Sequence, residues 1–384
     1  MVAAVRGGES ERSVARRFKS SLSTAQFWVA RAEDLPLDRV DWSNHPPGPQ
    51  QPANRTPRAL EDLALQVRRE LREGSALGEY GADAVHRELV ERQVANLPVP
   101  RTLHRIFERR GALDGQRRMH HPPPPRGWYL PAVADGRAEL DQFDSIEGLV
   151  IQDGPEIEVL TTVSLHGGLT GAWPTPGITA EIVRELLVEH WCEFGLPAYA
   201  QFDNDTVFQG PHQHPDVIGS VTRLCLSLGV TPVFAPICEF GFQSADESFN
   251  GRWQAKVWAR FHHETLDDLC ERSRKYVAAH RQRTATRREH APARRPFPSD
   301  WTLNLQARPQ GRIIFLRRTS EQGTVTFLGH TFEVERQWPH RLVRCEVDLD
   351  GAAIRFYALR RRAPREQPLL KTVTYVLPQR RFRE

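Results

Sequence analysis

Three acidic residues stand where strand and helix patterns could turn them into a site. Asp144 lies in Asp141-Gln-Phe-Asp-Ser-Ile-Glu-Gly-Leu, Asp203 ends Tyr199-Ala-Gln-Phe-Asp-Asn-Asp, and Glu247 sits in Ser244-Ala-Asp-Glu-Ser-Phe-Asn. A carboxylate between apolar neighbours on a central strand is costly unless it is paired or metal-bound. Strand ends gather such groups at one rim of a sheet. Three carboxylates there repel one another until Mg2+ or Mn2+ neutralises them. Two such ions, about 3.5–4 Å apart, can clamp a phosphodiester for in-line attack. One activates water or a 3′-hydroxyl and the other stabilises the leaving 3′-oxygen. The residues alone leave two alternatives open: Asp141 beside Asp144, and Asp246 beside Glu247. On a helix the latter two point about 100° apart, so only one can face the ions.

The elements that must position these groups follow from periodicity. Residues 140–150, 157–164 and 169–173 read as three strands. They are followed by an amphipathic helix (179–194), a strand (198–202), a helix (217–229), a strand (230–234) and a long helix (244–261). The order β-β-β-α-β-α-β-α is the RNase H-like arrangement. Proline-rich breaks at 46–57 and 122–125, and a change at 292–298, divide the chain into expected segments 1–45, 55–115, 135–290 and 300–384. The first two read as helix-turn-helix units. In the first, Ser23 is the expected cap of a second helix carrying Thr24, Gln26 and Arg31. In the second, Arg101, Thr102 and Arg105 open the last helix. The last segment, with short strands at 313–318, 324–327, 331–335, 342–348 and 353–359, predicts a small β-barrel.

Bulk properties narrow the class. The chain has 384 residues, 39% hydrophobic and 26% charged, which suits a soluble multidomain protein with a real core. No run of about 18 apolar residues predicts a membrane span, and the first residues show no export signal, so a cytoplasmic, nucleoid-associated protein is expected. Five cysteines without a Cys-x-x-Cys pair point to reduced thiols and against a structural zinc. The net charge is only +4, but nine Lys or Arg crowd residues 271–297, among them Arg281, Arg283, Arg287 and Arg288. Such a local excess favours a polyanion. Trp191, Trp253 and Trp258 read as packing residues, and His212 and His214 as solvated loop residues.

The words Gly195-Leu-Pro, Asp203-Asn204, Phe208, Pro236 and Glu247-Ser-Phe-Asn250 resemble the catalytic core of retroviral-type integrases and of bacterial insertion-sequence transposases, the DDE group. The resemblance spans roughly 139–298. It implies a metal-binding catalytic triad of Asp144, Asp203 and Glu247, the last chosen over Asp246 because Phe249-Asn250 follows it. It also implies two Mg2+ or Mn2+ ions, double-stranded DNA (element ends and target) as partner, and a homo-oligomer on that DNA. Asn250, Arg252 and Lys256, farther along the same helix, would face DNA. The sequence departs from the family's pattern in three places. Asp205 stands where many relatives have Gly, Val163-Ser164 where many have an Asp, and Pro211-His-Gln-His-Pro215 lengthens the span between Asp203 and Glu247.

Overall fold

A computed structural model describes residues 1–44, 56–113, 126–152, 154–211, 214–237, 239 and 241–382. They form two compact units, Met1–Glu61 and Asp62–Glu384. The first holds three helices, α1 (Val2–Arg6), α2 (Glu11–Arg17) and α3 (Leu22–Ala32), and the start of α4 (Arg58–Gly74). The cap of α3 is Ser21 rather than Ser23: its hydroxyl accepts from the Thr24 amide at 3.1 Å. Val2, Ala32 and Val40 are buried together against Trp28 and Val29.

In the second unit, α4 continues and is joined by α5 (Ala82–Glu91) and α6 (Pro100–Arg109). Ala64, Val67, Val85, Leu89, Leu103, Ile106 and Phe107 fill the space between them. Pro100 stands at the start of α6, where its missing N–H costs no helical bond. After the short α7 (Pro131–Ala134) the pattern switches to α/β. The elements are β1 (Leu140–Val150), β2 (Glu156–Ser164), β3 (Thr170–Thr175), α8 (Ala180–Phe194), β4 (Tyr199–Phe202), α9 (Thr206–Gln209), α10 (Ser220–Ser227), β5 (Thr231–Phe234) and α11 (Ser244–Trp253). A π-helical turn (Gln254–Trp258) continues α11, so the long helix expected over 244–261 changes pitch. Then come α12 (Leu266–Arg283), α13 (Ala285–Glu289), β6 (Arg312–Arg318), β7 (Thr324–Phe327), β8 (His330–Glu333), β9 (Leu342–Asp348), β10 (Ala353–Ala358) and β11 (Leu369–Thr374).

Among the described residues nine strands make one mixed sheet in the order β11-β10-β9-β6-β5-β4-β1-β2-β3. β1, β2 and β3 form an antiparallel meander, and β4 and β5 add in parallel. This is the mixed sheet expected of an RNase H-like core. The sheet does not stop at the proline-rich change near 292–298. β6 pairs with β5 through Val233–Ile314 and Phe234–Phe315, and β9, β10 and β11 follow. The strands expected in a separate barrel therefore extend the central sheet, because β6 is apolar on both faces and buried from Ile313 to Arg317. The hairpin β7–β8 stands outside this sheet and lays Phe327 on Phe315, ring centroids 4.8 Å apart.

One row of rings runs across four central strands. Phe143 of β1 stacks on Phe202 of β4 at 5.3 Å. Phe202 neighbours Phe234 of β5 at 6.2 Å, and Phe234 stacks on Phe315 of β6 at 5.1 Å. All four are essentially inaccessible and share one core with α8 and α10. Successive side chains on a strand point to opposite faces. Asp141 therefore shares the face of Phe143, toward Trp191 of α8, whereas Asp144 takes the face covered by α11.

Asp141 is fully buried. Arg294 donates to both its oxygens, at 2.8 and 2.7 Å, and Trp191 Nε1 donates at 3.2 Å. Burial alone would raise its pKa, but the Arg294 guanidinium outweighs that and holds the carboxyl below its ordinary value. Removing one partner of such a pair strands the other charge. Arg294→Met is expected to cost roughly 3–5 kcal/mol of stability, read by urea unfolding at neutral pH. A cost below about 1 kcal/mol would show that the pair does not brace β1.

Candidate functional site

The site forms where β1, β4 and α11 meet. Asp144 lies in the middle of β1, half-buried. Ser145 N donates to its Oδ1 at 3.0 Å and Asn250 Nδ2 to its Oδ2 at 3.0 Å. Asp203 follows directly on Phe202, the last residue of β4, and accepts from the Asp205 amide at 3.0 Å. Glu247 is in the first turn of α11, exposed, and its Oε1 accepts from Gly241 N at 3.3 Å.

Burial raises the Asp144 carboxyl, and the charges of Asp203 and Glu247 raise it further, to about 6. Asp203 is raised too, by burial first and then by Asp205 and Glu147. Hard carboxylate oxygens held high by burial and by neighbouring negative charge are what a divalent cation relieves. The donor set therefore fits Mg2+ or Mn2+. Among the described residues no three His, Cys, Asp or Glu side chains are gathered tightly enough to cage an ion, and Glu247 is turned toward the Gly241 amide.

Asp246 occupies a different position from Glu247. It is completely buried behind Asp144: its Oδ2 accepts from Thr161 Oγ1 at 3.0 Å and from Asn250 Nδ2 at 3.3 Å, and its Oδ1 has no partner. Burial, and then the nearby Asp144, raise its pKa well above the ordinary carboxylate value. The two residues diverge as adjacent helical positions must, Glu247 to solvent and Asp246 inward. Asp141, paired with Arg294 on the opposite face, is taken up by packing.

The approach of α11 to the sheet is fixed by a polar knot that the sequence pattern did not single out. Gln142 and Gln201 are register partners on β1 and β4. Both donate to the Phe242 carbonyl, at 2.9 and 3.3 Å, and the Tyr129 hydroxyl lies 3.0 Å from the same oxygen. Gln243 Nε2 donates to the Phe143 carbonyl at 2.9 Å. Glutamines at strand positions expected to be buried were the available signal, since a buried amide must find partners.

The departures at Asp205 and Ser164 each have a local partner. Asp205 has φ −62° and caps α9, accepting from Val207 N at 2.8 Å, so nothing at this position requires glycine. Ser164 lies at the far end of β2, where its hydroxyl accepts from Leu169 N at 2.8 Å. His212 lies outside the described residues, and His214 is exposed. Just past the added residues, Asp216 accepts from His330 and from Tyr375 at 2.8 Å each, joining this loop to the C-terminal strands. Asn204 is gripped by Arg317 of β6, whose Nη2 donates to its Oδ1 at 2.9 Å.

The residues expected to face DNA are distributed unevenly. Asn250 is buried at the carboxylates rather than facing outward. Lys256, in the π-turn, donates to the Gly78 carbonyl at 3.1 Å, and Arg260 to the Ser75 and Glu73 carbonyls at 2.7 and 3.0 Å. These bonds dock the α4–α5 turn onto the helix that carries Glu247. Arg283 pairs with Glu79 of the same turn. Arg281 donates to the Thr170 carbonyl, Arg287 to the Leu165 and His166 carbonyls, and Arg288 to the Arg281 carbonyl. The expected basic arm is therefore largely a set of struts between α12, α13 and the β2–β3 edge. Arg252 is exposed. In α6, Arg101 and Arg105 are exposed and Thr102 is half-buried. In the first unit Gln26 donates to Glu11 at 3.1 Å, Thr24 bonds Ser21, and Arg31 lies over the Trp28 ring near Asp41.

No protein-family model and no curated protein matches the sequence. Among solved structures the chain is similar to retroviral integrases. The HTLV-2 integrase catalytic core in complex with magnesium is 13% identical over 36% of this chain and 82% of that one, with a TM-score of 0.27. The BIV integrase catalytic core is 18% identical over 37% and 80%, with a TM-score of 0.28. The simian T-cell lymphotropic virus intasome, in complex with a PP2A regulatory subunit, is 12% identical over 78% and 96%, with a TM-score of 0.33. No helix of the described residues is long and apolar enough to cross a membrane.

The raised carboxyl of Asp144 makes a stability prediction. Its folded pKa is about 6 against an ordinary 3.8, so the folded state holds the proton more tightly. Its contribution to stability is present below about pH 4 and is lost as pH rises through 6. Without divalent metal, Asp144→Asn is expected to stabilise the fold at pH 7 by something on the order of 1–3 kcal/mol and to flatten the pH 4–6 slope. Urea unfolding in EDTA across that range reads both; an unchanged slope would mean that Asp144 titrates normally.

Proposed function

We propose that this chain is a DDE-type polynucleotidyl transferase, a transposase that cleaves the ends of a mobile DNA element and joins them to a target. The observation that carries the reading is the placement of Asp144 on β1, Asp203 directly after β4 and Glu247 in the first turn of α11, with Asp203 and Glu247 both raising the Asp144 carboxyl. Strand, strand end and helix start each carry one carboxylate, and Glu247 turned onto the other two would complete the arrangement a two-ion phosphodiester site needs.

In this reading Asp144 and Asp203 bind the ions, and Glu247 completes the set by leaving the Gly241 amide. Bound divalent metal supplies the charge that polarises the phosphodiester and activates the attacking hydroxyl or water. Asn250 orients Asp144, and Asp246, itself bonded by Thr161, accepts from Asn250 from behind. The α1–α3 and α4–α6 units act as helix-turn-helix readers of the element ends through Thr24, Gln26, Arg31, Arg101, Thr102 and Arg105. The C-terminal strands take the part of the small DNA-holding domain. Two element ends and one target call for at least two protomers, because one triad handles one strand at a time.

The test is strand cleavage and joining with Mn2+ on duplexes taken from the DNA flanking the coding sequence. Wild type is expected to cut and join, while Asp203→Asn and Glu247→Gln do neither. Asp246→Asn, which keeps the shape of a buried partner, is expected to lose only about 10–100-fold, as supporting groups around metal ligands usually do. Total loss in Asp246→Asn with activity surviving in Glu247→Gln would exchange their roles. Tight DNA binding by wild type without cleavage under any divalent metal would favour a regulator that has kept the fold and lost the chemistry.

A further inference from the structure

A second charged constellation lies beside the loop that leads into α11. Glu239, on that loop, is contacted by two guanidiniums, Arg318 at the end of β6 and Arg361 just after β10. The carboxylate is 13% exposed, whereas Arg318 and Arg361 are 48% and 60% exposed. Arg318 also donates to the His340 carbonyl, which fixes its plane. Next to this pair, Arg341 and Arg360 both lie over the Trp338 ring, at 5.6 and 5.4 Å from its centre. Arg318, Arg341, Arg360 and Arg361 thus lie at one end of strands β6, β9 and β10, with Glu239 as the anion between Arg318 and Arg361 and Glu366 paired with Arg360.

We infer that Arg318 and Arg361 form a binding site for the phosphodiester backbone of DNA, and that Glu239 occupies this site in the free protein. The inference rests on the DNA-processing reading above. One carboxylate shared by two guanidiniums leaves a positive excess, and Arg341 on Trp338 adds to it, Arg360 being paired with Glu366. Arginine forks donate to phosphate oxygens in the same bidentate geometry as to carboxylate oxygens. The arginines are largely open to solvent, so a phosphate can reach them without unfolding anything. The place also suits a nucleic-acid strand on its way to the carboxylates: two residues beyond Glu239, the Gly241 amide holds Glu247.

The experiment measures binding of the full chain to a short fluorescent duplex of arbitrary sequence, in EDTA, over a range of salt. Glu239→Gln is expected to tighten binding by about threefold or more and to steepen the log–log salt slope by about one, the change for one added phosphate contact. Arg361→Gln is expected to weaken binding several-fold and to reduce the slope by about one. Inorganic phosphate at the concentrations that shift the salt curve should compete no better than sulfate, because the site is built for a polymer patch. The gain from Glu239→Gln should vanish when Arg318 and Arg361 are both Gln. An equal gain in both backgrounds would reduce it to a net-charge effect and overturn the proposal, as would an unchanged slope in Arg361→Gln. Unchanged circular dichroism and melting show that each variant is folded. If wild type binds no duplex at any salt, the DNA reading itself fails, and that outcome is distinct from the failure of this site.

Discussion

The row of stacked phenylalanines across β1, β4, β5 and β6 is the constraint on which the rest depends. Phe143 and Phe202 are buried at one level of the sheet, and Asp144 and Asp203 are the residues that follow them. Locking the rings fixes the register of the strands, and register fixes where the next side chain emerges. One slipped residue would send Asp144 into the α8 face and bring Asp141 out. The same row explains why the C-terminal strands belong to the sheet. Phe315 continues it, and Phe327 and Phe332 of the hairpin stack on from there. Arg317, two residues on from Phe315 along β6, reaches Asn204 beside Asp203. The far end of the chain thereby braces the near end of the site.

Much of this was legible in the sequence, for reasons that can be named. Strand and helix periods were strong in residues 140–234, and the element order followed from them. The carboxylates were legible because charged residues after apolar runs are rare and expensive. Choosing between Asp141 and Asp144 was not possible from the sequence, since it turns on which strand face α8 covers and on Arg294, 153 residues away. The same holds for the cluster at 271–297. Counting charges shows an excess of arginine, but not that Arg281, Arg287 and Arg288 each point at a carbonyl of another turn. The boundary near 292–298 misled for a related reason. Prolines mark a change of local structure, but only tertiary pairing shows that β6 returns to lie beside β5.

The helix that carries Glu247 is held at both ends by parts of the chain far from it in sequence. At its start, Gln142, Gln201 and Tyr129 converge on one carbonyl, that of Phe242. At its end, the π-turn rotates Lys256 and Arg260 onto the turn between α4 and α5. A π-turn widens the helix by one residue and changes which side chains face outward, a feature that concentrates at functional sites. Here it lets two basic side chains cap the carbonyls of a helical unit that lies almost 180 residues earlier in the chain. Any movement of that unit therefore pulls on α11 directly. The placement of Glu247 is not a property of its own helix alone: it depends on how the α4–α6 unit and the central glutamines together set the height and rotation of α11.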